Sequence, residues 1–405
     1  MDSFQTTITI ILILIIFISA RVNIALSLFS TIVIGSFLYE GPLHLIRLLY
    51  NTLTDKISIL LMINVFMIAF YVSLYRRKDI IKDLGEGLQK IFRNDILILT
   101  MVPGIIGLLP VPGGALLSAP IVDVVGDQRG LNGSLKLFIN VWYRHIILFF
   151  YPLSTTIIFT SALTRISPWS LSILSLPLAS IMFILGLTVF IKRSSHIINR
   201  SSTSYLSNDR IKRSVLPIMT TIAVSLMMAL SGNPLLSNDL YVIISVLLGI
   251  IILIILNRLA VRDISEAFKD KKMFEMIFLA FSIMLFRNFY STIDLRSIQN
   301  FLITHTPDLR IMIILLPLFF SLISGHPTTG IAVATPILSL LTQLSREMIM
   351  IIYAASFLGY LGSPMHACYL YTAKYLQTPV RDGYKYLIPY TLISLLAGFI
   401  LYSMF

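Results

Sequence analysis

The chain of 405 residues is 57% hydrophobic and only 12% charged, with a mean hydropathy of +0.88. Because about 25% of the residues of a soluble domain are charged, this composition excludes an ordinary soluble protein and indicates a lipid bilayer as the partner. The net charge of +12 does not predict a nucleic-acid partner, because Lys and Arg concentrate in loops between apolar runs, as in membrane proteins. The single cysteine, Cys368, excludes a disulfide framework and a CxxC metal site. No HExxH, P-loop or GxSxG motif is present, so the sequence predicts neither an enzyme nor a cofactor.

The first half of the chain begins with three predicted spans within residues 6–75, and the basic loop that follows is assigned to the cytoplasm. Residues 96–125 are too long for one span of ~20 residues and too short for two, and they contain PVPGG in the middle. They predict a re-entrant hairpin, which enters and leaves the membrane on the same side. A helix over residues 135–163, interrupted at Tyr151-Pro152, and a span over residues 169–191 complete this half.

The second half repeats this order of elements after a basic cytoplasmic linker at residues 192–214. Spans within residues 215–293 lead to a second hairpin at 311–341, a broken helix at 348–373 and a final span at 387–404. The distribution of basic loops predicts a multi-pass protein of the plasma membrane with both termini outside.

The two hairpins align with each other. PVPGGALLSAPIVDVV, from Pro110, matches HPTTGIAVATPILSLL, from His326, at an offset of 216 residues. The following helices align at an offset of 212, which places Tyr151-Pro152 on Ser363-Pro364. Each half crosses the membrane five times. Because five is odd, the second half begins on the opposite side of the membrane from the first, so the second repeat must be inverted. The predicted fold is therefore all-α, with about ten transmembrane helices and two re-entrant hairpins in two inverted repeats, residues 1–191 and 215–405.

Broken helices within a membrane require a polar cavity, because unpaired backbone groups are too costly in hydrocarbon. Helix N-termini at the breaks can bind an anion, and exposed carbonyls can hold Na⁺. The site is predicted where Pro110–Gly114, Tyr151-Pro152, His326–Gly330 and Gly362–Pro364 converge.

Three segments carry a family resemblance: PVPGGALLSAP, NVWYRHIILFFYPL and a Gly-Tyr-Leu-Gly-Ser-Pro-Met-His stretch. They resemble domain-of-unknown-function family 401, a prokaryotic group of ten-span proteins in the ion transporter superfamily. The resemblance implies a dimerisation scaffold, a transport domain with paired hairpins, and elevator-type alternating access driven by Na⁺ or H⁺. The chain lacks the Ser-Asn-Thr hairpin signatures of the superfamily's dicarboxylate carriers, so the resemblance does not extend to their specificity.

Arg144 is the leading candidate for substrate binding, since a charge at mid-membrane requires a partner or a ligand and a guanidinium offers a fork to a carboxylate or phosphate. Pairing with Asp123 is the structural alternative. The other substrate-binding candidates lie at the hairpin tips and helix breaks: Pro112, Gly113, Gly114, Tyr151, Thr328, Thr329, Gly330, Ser363 and His366. Helix capping by the hydroxyl residues is the alternative there.

The candidates for a coupling-ion site are polar or titratable residues near the same breaks: Ser118, Asp123, His145, His326 and Thr335. His145 points about 100° away from Arg144 on the same helix, so at most one of the two faces the cavity squarely. Each has a structural alternative, such as a hydrogen-bonded core histidine for His145 or a solvated carboxylate for Asp123.

Two functions remain open on these residues. The first is an ion-coupled carrier of a small anion, and the second is a cation/proton antiporter, which needs a deep carboxylate; Asp123 alone qualifies. A channel or a membrane scaffold is a third alternative. Na⁺ is a possible coupling ion, no metal is firmly assigned, and a homodimer is implied by the resemblance.

Overall fold

A computed structural model describes seven stretches of the chain: residues 3–77, 80–92, 94–108, 115–191, 208–231, 238–292 and 309–403. Within these stretches every regular element is a helix. The helices of the first part are α1 Ser3–Ser19, α2 Ile24–Tyr39, α3 Pro42–Thr54, α4 Lys56–Tyr75, α5 Ile80–Ile91, α6 Asp95–Gly107, α7 Ala115–Gln128, α8 Gly133–Phe150, α9 Thr155–Thr164 and α10 Pro168–Ile191. Those of the second part are α11 Asn208–Ser231, α12 Asn238–Asn257, α13 Val261–Phe268, α14 Lys271–Tyr290, α15 Leu309–Ser324, α16 Pro327–Leu341, α17 Arg346–Gly362, α18 Ala367–Tyr375 and α19 Val380–Ser403.

Eight segments of the described chain are long and apolar enough to cross a membrane. They are α4, α8 with α9, α10, α11, α12, α14, α17 with α18, and α19. Helix α12 shows why lipid must surround the molecule, because it exposes Leu247, Ile251 and Ile255 to its surroundings. The prediction of a multi-pass membrane protein is therefore confirmed. Ten spans would need the shorter apolar helices α1 and α2 as well, and that number stays a prediction.

Polar caps fix where several of these helices begin. The side chains of Asn94 and Asn132 accept hydrogen bonds from the first free N–H groups of α6 and α8, and Asp55 does the same for α4. An N-cap of this type stabilises a helix by about 1 kcal/mol. The predicted bounds were too short at α11 and α19, because charged first turns hid them: Asp209 pairs with Arg213, and Lys385 lies 3.0 Å from Asp382.

Three helices lie inside segments interpreted from sequence as loops or as parts of spans. They are the short amphipathic helices α3, α5 and α13. Arg77, two residues after the end of α4, donates to the Glu266 carboxylate of α13 at 2.9 Å, so an ion pair holds α13 against the end of α4. A search for runs of ~20 apolar residues cannot detect helices that bury only one face.

Two helix pairs occupy the predicted hairpin segments. Helix α6 packs against α7 and α8, and α15 packs against α16 and α17. The turn between α15 and α16 contains Gly325 at φ +65°. A Cβ on Gly325 would lie 2.6 Å from the Met365 carbonyl oxygen, so this tip rests directly on the backbone of the second helix break. Their re-entrant placement in the bilayer stays a prediction.

Both long helices are interrupted at the positions that the sequence indicates. Helix α8 ends at Phe150 and α9 begins at Thr155; α17 ends at Gly362 and α18 begins at Ala367. Pro152 and Pro364 lie within the two breaks, and proline cannot donate the backbone hydrogen bond that would continue the helix. The two interrupted helices are joined by packing of α18 against α7 and α8, which places the second break beside His145 of α8.

Candidate functional site

Arg144 lies in α8, eight residues before Pro152, and is 1% exposed. Helix α6 closes tightly on it: a Cβ on Gly107 would lie 2.9 Å from the carbonyl oxygen of Arg144 and 3.3 Å from its Cγ. Arg144 is therefore held where α6 and α8 pack closely against each other.

His145 and His366 meet at the centre of this core. Their Nε2 atoms are 3.2 Å apart although the residues are 221 positions apart in sequence. The Nδ1 atom of His145 lies 2.6 Å from the Val141 carbonyl oxygen, which can only accept, so Nδ1 donates. Tyr360 places its hydroxyl 3.1 Å from His145 Nε2 and 4.0 Å from the Cys368 sulfur. We call these four residues, His145, Tyr360, His366 and Cys368, the two-histidine cluster.

Sequence reasoning missed Tyr360 and Cys368 as site residues. Both follow from the geometry of the second break, since Tyr360 lies one turn before it and Cys368 two residues after His366. The alignment of the two broken helices was the signal that could have found them, because it predicts that α8 and α18 meet. All members of the cluster except Tyr360 are less than 9% exposed.

A second polar group links the first hairpin to both interrupted helices. Asn140 of α8 donates through Nδ2 to the Ala115 carbonyl at 2.9 Å and to the Thr372 hydroxyl at 3.0 Å. Its Oδ1 accepts from the Ser118 hydroxyl at 2.6 Å. The amide thus has partners on both sides, and Ser118, a predicted coupling-ion residue, is held by hydrogen bonds within the protein.

The second hairpin presents buried hydroxyls of a different kind. The side chains of Thr328 and Thr329 are each 1% exposed, and neither hydroxyl has a hydrogen-bond partner among the described residues; the same is true of Ser356 in α17. Gly330 lets these helices approach, because a Cβ there would meet the Ser321 and Ser356 hydroxyl oxygens at 2.3 and 2.7 Å. Buried polar groups without partners are rare in proteins, so this group is suited to contact a ligand.

His326 caps α16 and lies near the cluster. Its ring centroid is 6.5 Å from that of Tyr360, and its Nδ1 has no partner in the described part of the chain. Ser363 is held more firmly: its hydroxyl donates to the Leu322 carbonyl, and its own carbonyl accepts from the Tyr384 hydroxyl at 2.7 Å. Ser363 therefore fastens the second break to α15.

Three predicted residues lie apart from the two-histidine cluster. Asp123 forms an ion pair with Lys136, which also lies 2.7 Å from an Asp127 oxygen, so the Asp123–Arg144 pairing considered from sequence is not the one that forms. Thr335 lines a separate cavity of about 300 Å³ together with Arg287. Tyr151 lines a small void beside Tyr71, Leu108 and Val246.

The tip of the first hairpin lies outside the described residues. It contains the predicted substrate-binding residues Pro112, Gly113 and Gly114, and their role stays a prediction. Helices α6 and α7 on either side of this tip reach Arg144 and Asn140. The described part of the site therefore consists of four features: the guanidinium, the two-histidine cluster, the Asn140 network and the hydroxyls of the second hairpin.

Known proteins provide two kinds of match. A family model described as "Protein of unknown function (DUF401)" matches residues 2–405. Among solved structures, the fold is similar to that of the Alcanivorax borkumensis YdaH transporter, with a TM-score of 0.60, 12% identity, and coverage of 90% of this chain and 88% of that one.

It is also similar to Neisseria gonorrhoeae MtrF, whose structure is described as illuminating a class of antimetabolite efflux pumps; the TM-score is 0.57, the identity 15%, and coverage 89% and 84%. A search of curated proteins finds no match. The family resemblance seen in the sequence is thus confirmed, and the overall fold is that of transporters.

Proposed function

We propose that this chain, which belongs to the DUF401 family, is an ion-coupled secondary transporter that carries a small anion across the plasma membrane of a prokaryote by elevator-type alternating access. Na⁺ or H⁺ supplies the coupling. The anion binds between the two interrupted helices, and Arg144 is its principal charged contact.

The observation that carries this proposal is the burial of Arg144 within a membrane-spanning segment. A charge at that depth is expensive, and such residues mark substrate pathways or ion sites. A guanidinium can bind a carboxylate or a phosphate through two parallel hydrogen bonds. The hydroxyls of Thr328, Thr329 and Ser356, which have no partner among the described residues, supply neutral donors from α16 and α17.

The recurring order of helices supports a pair of inverted repeats as the transport machinery. Residues 1–191 and 215–405 each contain long helices, a hairpin pair and an interrupted helix, and the linker predicted at 192–214 overlaps the start of α11 at Asn208. In this proposal α4 and α14 belong to the scaffold through which the protein forms a homodimer. The hairpins and interrupted helices form the moving unit. Broken helices at the repeat interface are where secondary transporters bind their substrates.

The solved structures of similar fold support a carrier over a channel or a passive scaffold, because one is described as a transporter and the other as representing efflux pumps. The described residues also disfavour the cation/proton antiporter. Within them no Asp or Glu is buried, and the one deep candidate from sequence, Asp123, is paired with Lys136.

Reconstitution separates the two functions. Purified protein in proteoliposomes is given a Na⁺ or a pH gradient and tested with labelled benzoate, glutamate, succinate and phosphate. The proposal expects gradient-driven uptake of at least one anion. Exchange of Na⁺ or Li⁺ for H⁺ without any organic substrate, together with no anion uptake, would establish the antiporter instead.

The membrane orientation has its own test. Epitope tags at the N- and C-termini of the full chain are probed in intact and in permeabilised cells. Both tags are expected to react in intact cells, since ten crossings put the two termini on the same side of the membrane and the basic loops assign the other side to the cytoplasm. A tag that reacts only after permeabilisation would contradict the inverted five-plus-five arrangement.

A further inference from the structure

The two-histidine cluster has a composition that transport of an anion does not require. One atom from each of His145, His366 and Cys368 (an imidazole nitrogen or the sulfur) lies within 4.8 Å of the other two, and all three residues are buried. From this geometry we propose that the three side chains form a binding site for a transition-metal ion of the Zn²⁺ class. Metal binding at this site requires only these three side chains and does not depend on which anion is transported.

The ligand types fit this class of ion. Zn²⁺ prefers imidazole nitrogen and thiolate sulfur, and sites with three protein ligands keep a fourth position open. The set differs from a site for Na⁺ or Mg²⁺, which take oxygen ligands. No carboxylate or carbonyl oxygen is needed to complete it.

The distance between the histidines also fits. Two nitrogens at Zn–N distances of about 2.0–2.1 Å and a tetrahedral angle are about 3.3–3.4 Å apart. The observed separation of His145 Nε2 and His366 Nε2 is 3.2 Å. An ion can therefore replace the contact between the two rings with little movement of α8 or α18, and the Cys368 sulfur needs the larger adjustment.

His145 is already oriented as a metal ligand. Its Nδ1–H donates to the Val141 carbonyl at 2.6 Å, which places the lone pair of the neutral ring on Nε2, the atom that faces His366. Metal-binding histidines almost always donate their second nitrogen in this way, and the partner fixes both tautomer and ring orientation. The Tyr360 hydroxyl lies 3.1 Å from the same Nε2 and must give up this contact when the ion takes the Nε2 lone pair.

The charge balance sets the conditions for binding. On coordination the Cys368 thiol loses its proton to solvent and becomes the thiolate ligand. His145 binds through its Nε2 lone pair, and His366 first shifts the Nε2 proton that it donates to His145 to its own Nδ1, so neither imidazole loses a net proton. Arg144 directly precedes His145 in α8 and is buried as well, so its positive charge opposes a cation and a thiolate ligand offsets it. Metal affinity should therefore rise with pH, as expected where a ligand must be deprotonated.

The test uses Co²⁺ as a spectroscopic substitute for Zn²⁺, on the full chain purified in detergent through a histidine-free tag. Because Cys368 is the only cysteine in the chain, a thiolate-to-cobalt charge-transfer band in the near ultraviolet can arise from this site alone. The proposal expects that band, tetrahedral d–d bands in the visible, saturation at one Co²⁺ per chain, and displacement by Zn²⁺.

Three variants and one control make the result specific. Cys368→Ser should lose the near-ultraviolet band, and His145→Ala or His366→Ala should weaken binding by more than the ~10–100-fold that loss of an outer partner costs. His44→Gln is the matched control, since His44 is also buried but contacts Thr292, at 3.1 Å, away from the cluster. It should bind Co²⁺ like the wild type.

The proposal is overturned if saturating Co²⁺ gives no charge-transfer band while Cys368 remains reduced, or if His366→Ala binds Co²⁺ as tightly as the wild type. Elution profile and melting temperature without metal show whether a variant is folded. Should a histidine variant fail to fold, the comparison of wild type with Cys368→Ser still decides. No step requires transport, so failure here is distinct from failure of the anion-carrier proposal.

Discussion

The two interrupted helices have the same architecture and different chemistry. Both stop just before a proline and both close against a hairpin, yet at the offset of 212 residues Arg144 in α8 corresponds to Ser356 in α17, and His145 corresponds to Phe357. The first helix carries the charge and the well-satisfied amide Asn140. The second carries Ser356, a buried hydroxyl without a partner among the described residues, and packs against α16, which carries two more at Thr328 and Thr329. Two repeats of one fold can thus differ in chemistry: one supplies a charged group, and the other supplies neutral hydroxyl groups.

Removal of the charge should have the largest effect. Arg144→Gln should lower the affinity for the transported anion by about 10–100-fold, because a hydrogen bond to a charged group contributes ~1.5–3 kcal/mol. Arg144→Lys should restore it only in part, since an ammonium lacks the bidentate fork. The measurement is concentration-dependent uptake in proteoliposomes.

Arg287→Gln is the matched control for that experiment. Arg287 is also within a span, but it lies 3.8 Å from Asp55 with its side chain 21% exposed, so it already has a structural partner. Its substitution should leave the affinity for the anion unchanged. Equal losses at both arginines would mean that charge in the membrane, and not this site, governs uptake.

The close approach in the second repeat predicts a steric effect. Gly330→Ala should lower the free energy of unfolding by about 1–3 kcal/mol, the usual cost of overpacking, because its methyl group would meet the Pro317 carbonyl oxygen at 2.3 Å. Thermal unfolding in detergent measures this.

Gly362→Ala serves as the comparison for Gly330→Ala. The nearest atom to its Cβ would be Leu322 Cδ1 at 3.9 Å, an ordinary contact, so the melting temperature should hardly change. A drop in melting temperature of the same size in both variants would show that the α17 region tolerates no substitution. Close packing at Gly330 would then not explain the loss.

The amide network of the first repeat should contribute more to stability than its counterpart hydroxyls. Asn140→Ala removes the three hydrogen bonds that Asn140 makes with Ala115, Ser118 and Thr372 and should cost about 1–3 kcal/mol. Ser356→Ala removes a hydroxyl with no described partner and should be neutral or stabilising. The reverse ranking of the two melting temperatures would contradict this contrast between repeats.

A substitution at Thr329 should change stability least of all and still lower the affinity for the anion. Thr329→Val keeps the volume and removes a buried hydroxyl without a described partner, so stability should hold or rise while anion affinity falls. Thr160→Val is the control, since that hydroxyl donates to the Thr156 carbonyl at 2.8 Å within α9 and should not affect uptake. Unchanged uptake in Thr329→Val would remove the second hairpin from the binding site.

The sequence predicted the repeated features better than the contacts between them. The breaks at Tyr151-Pro152 and Ser363-Pro364 could be located because proline and apolar run length are local properties. The pairing of Asp123 with Lys136 and of His145 with His366 could not, because it depends on how helices rotate and pack after the chain has folded. The helices α3, α5 and α13 were missed because their charged faces resemble loops.

A structure of the full chain with a bound anion tests the central claim most directly. The anion is first chosen as the one that raises the melting temperature of the wild type, since a ligand bound to the folded state stabilises it, and the structure is then determined at a saturating concentration. We predict density for that anion against the Arg144 guanidinium, between α8 and the start of α16 at Thr328. Density in the Arg287 cavity instead, with the Arg144 region empty, would contradict it.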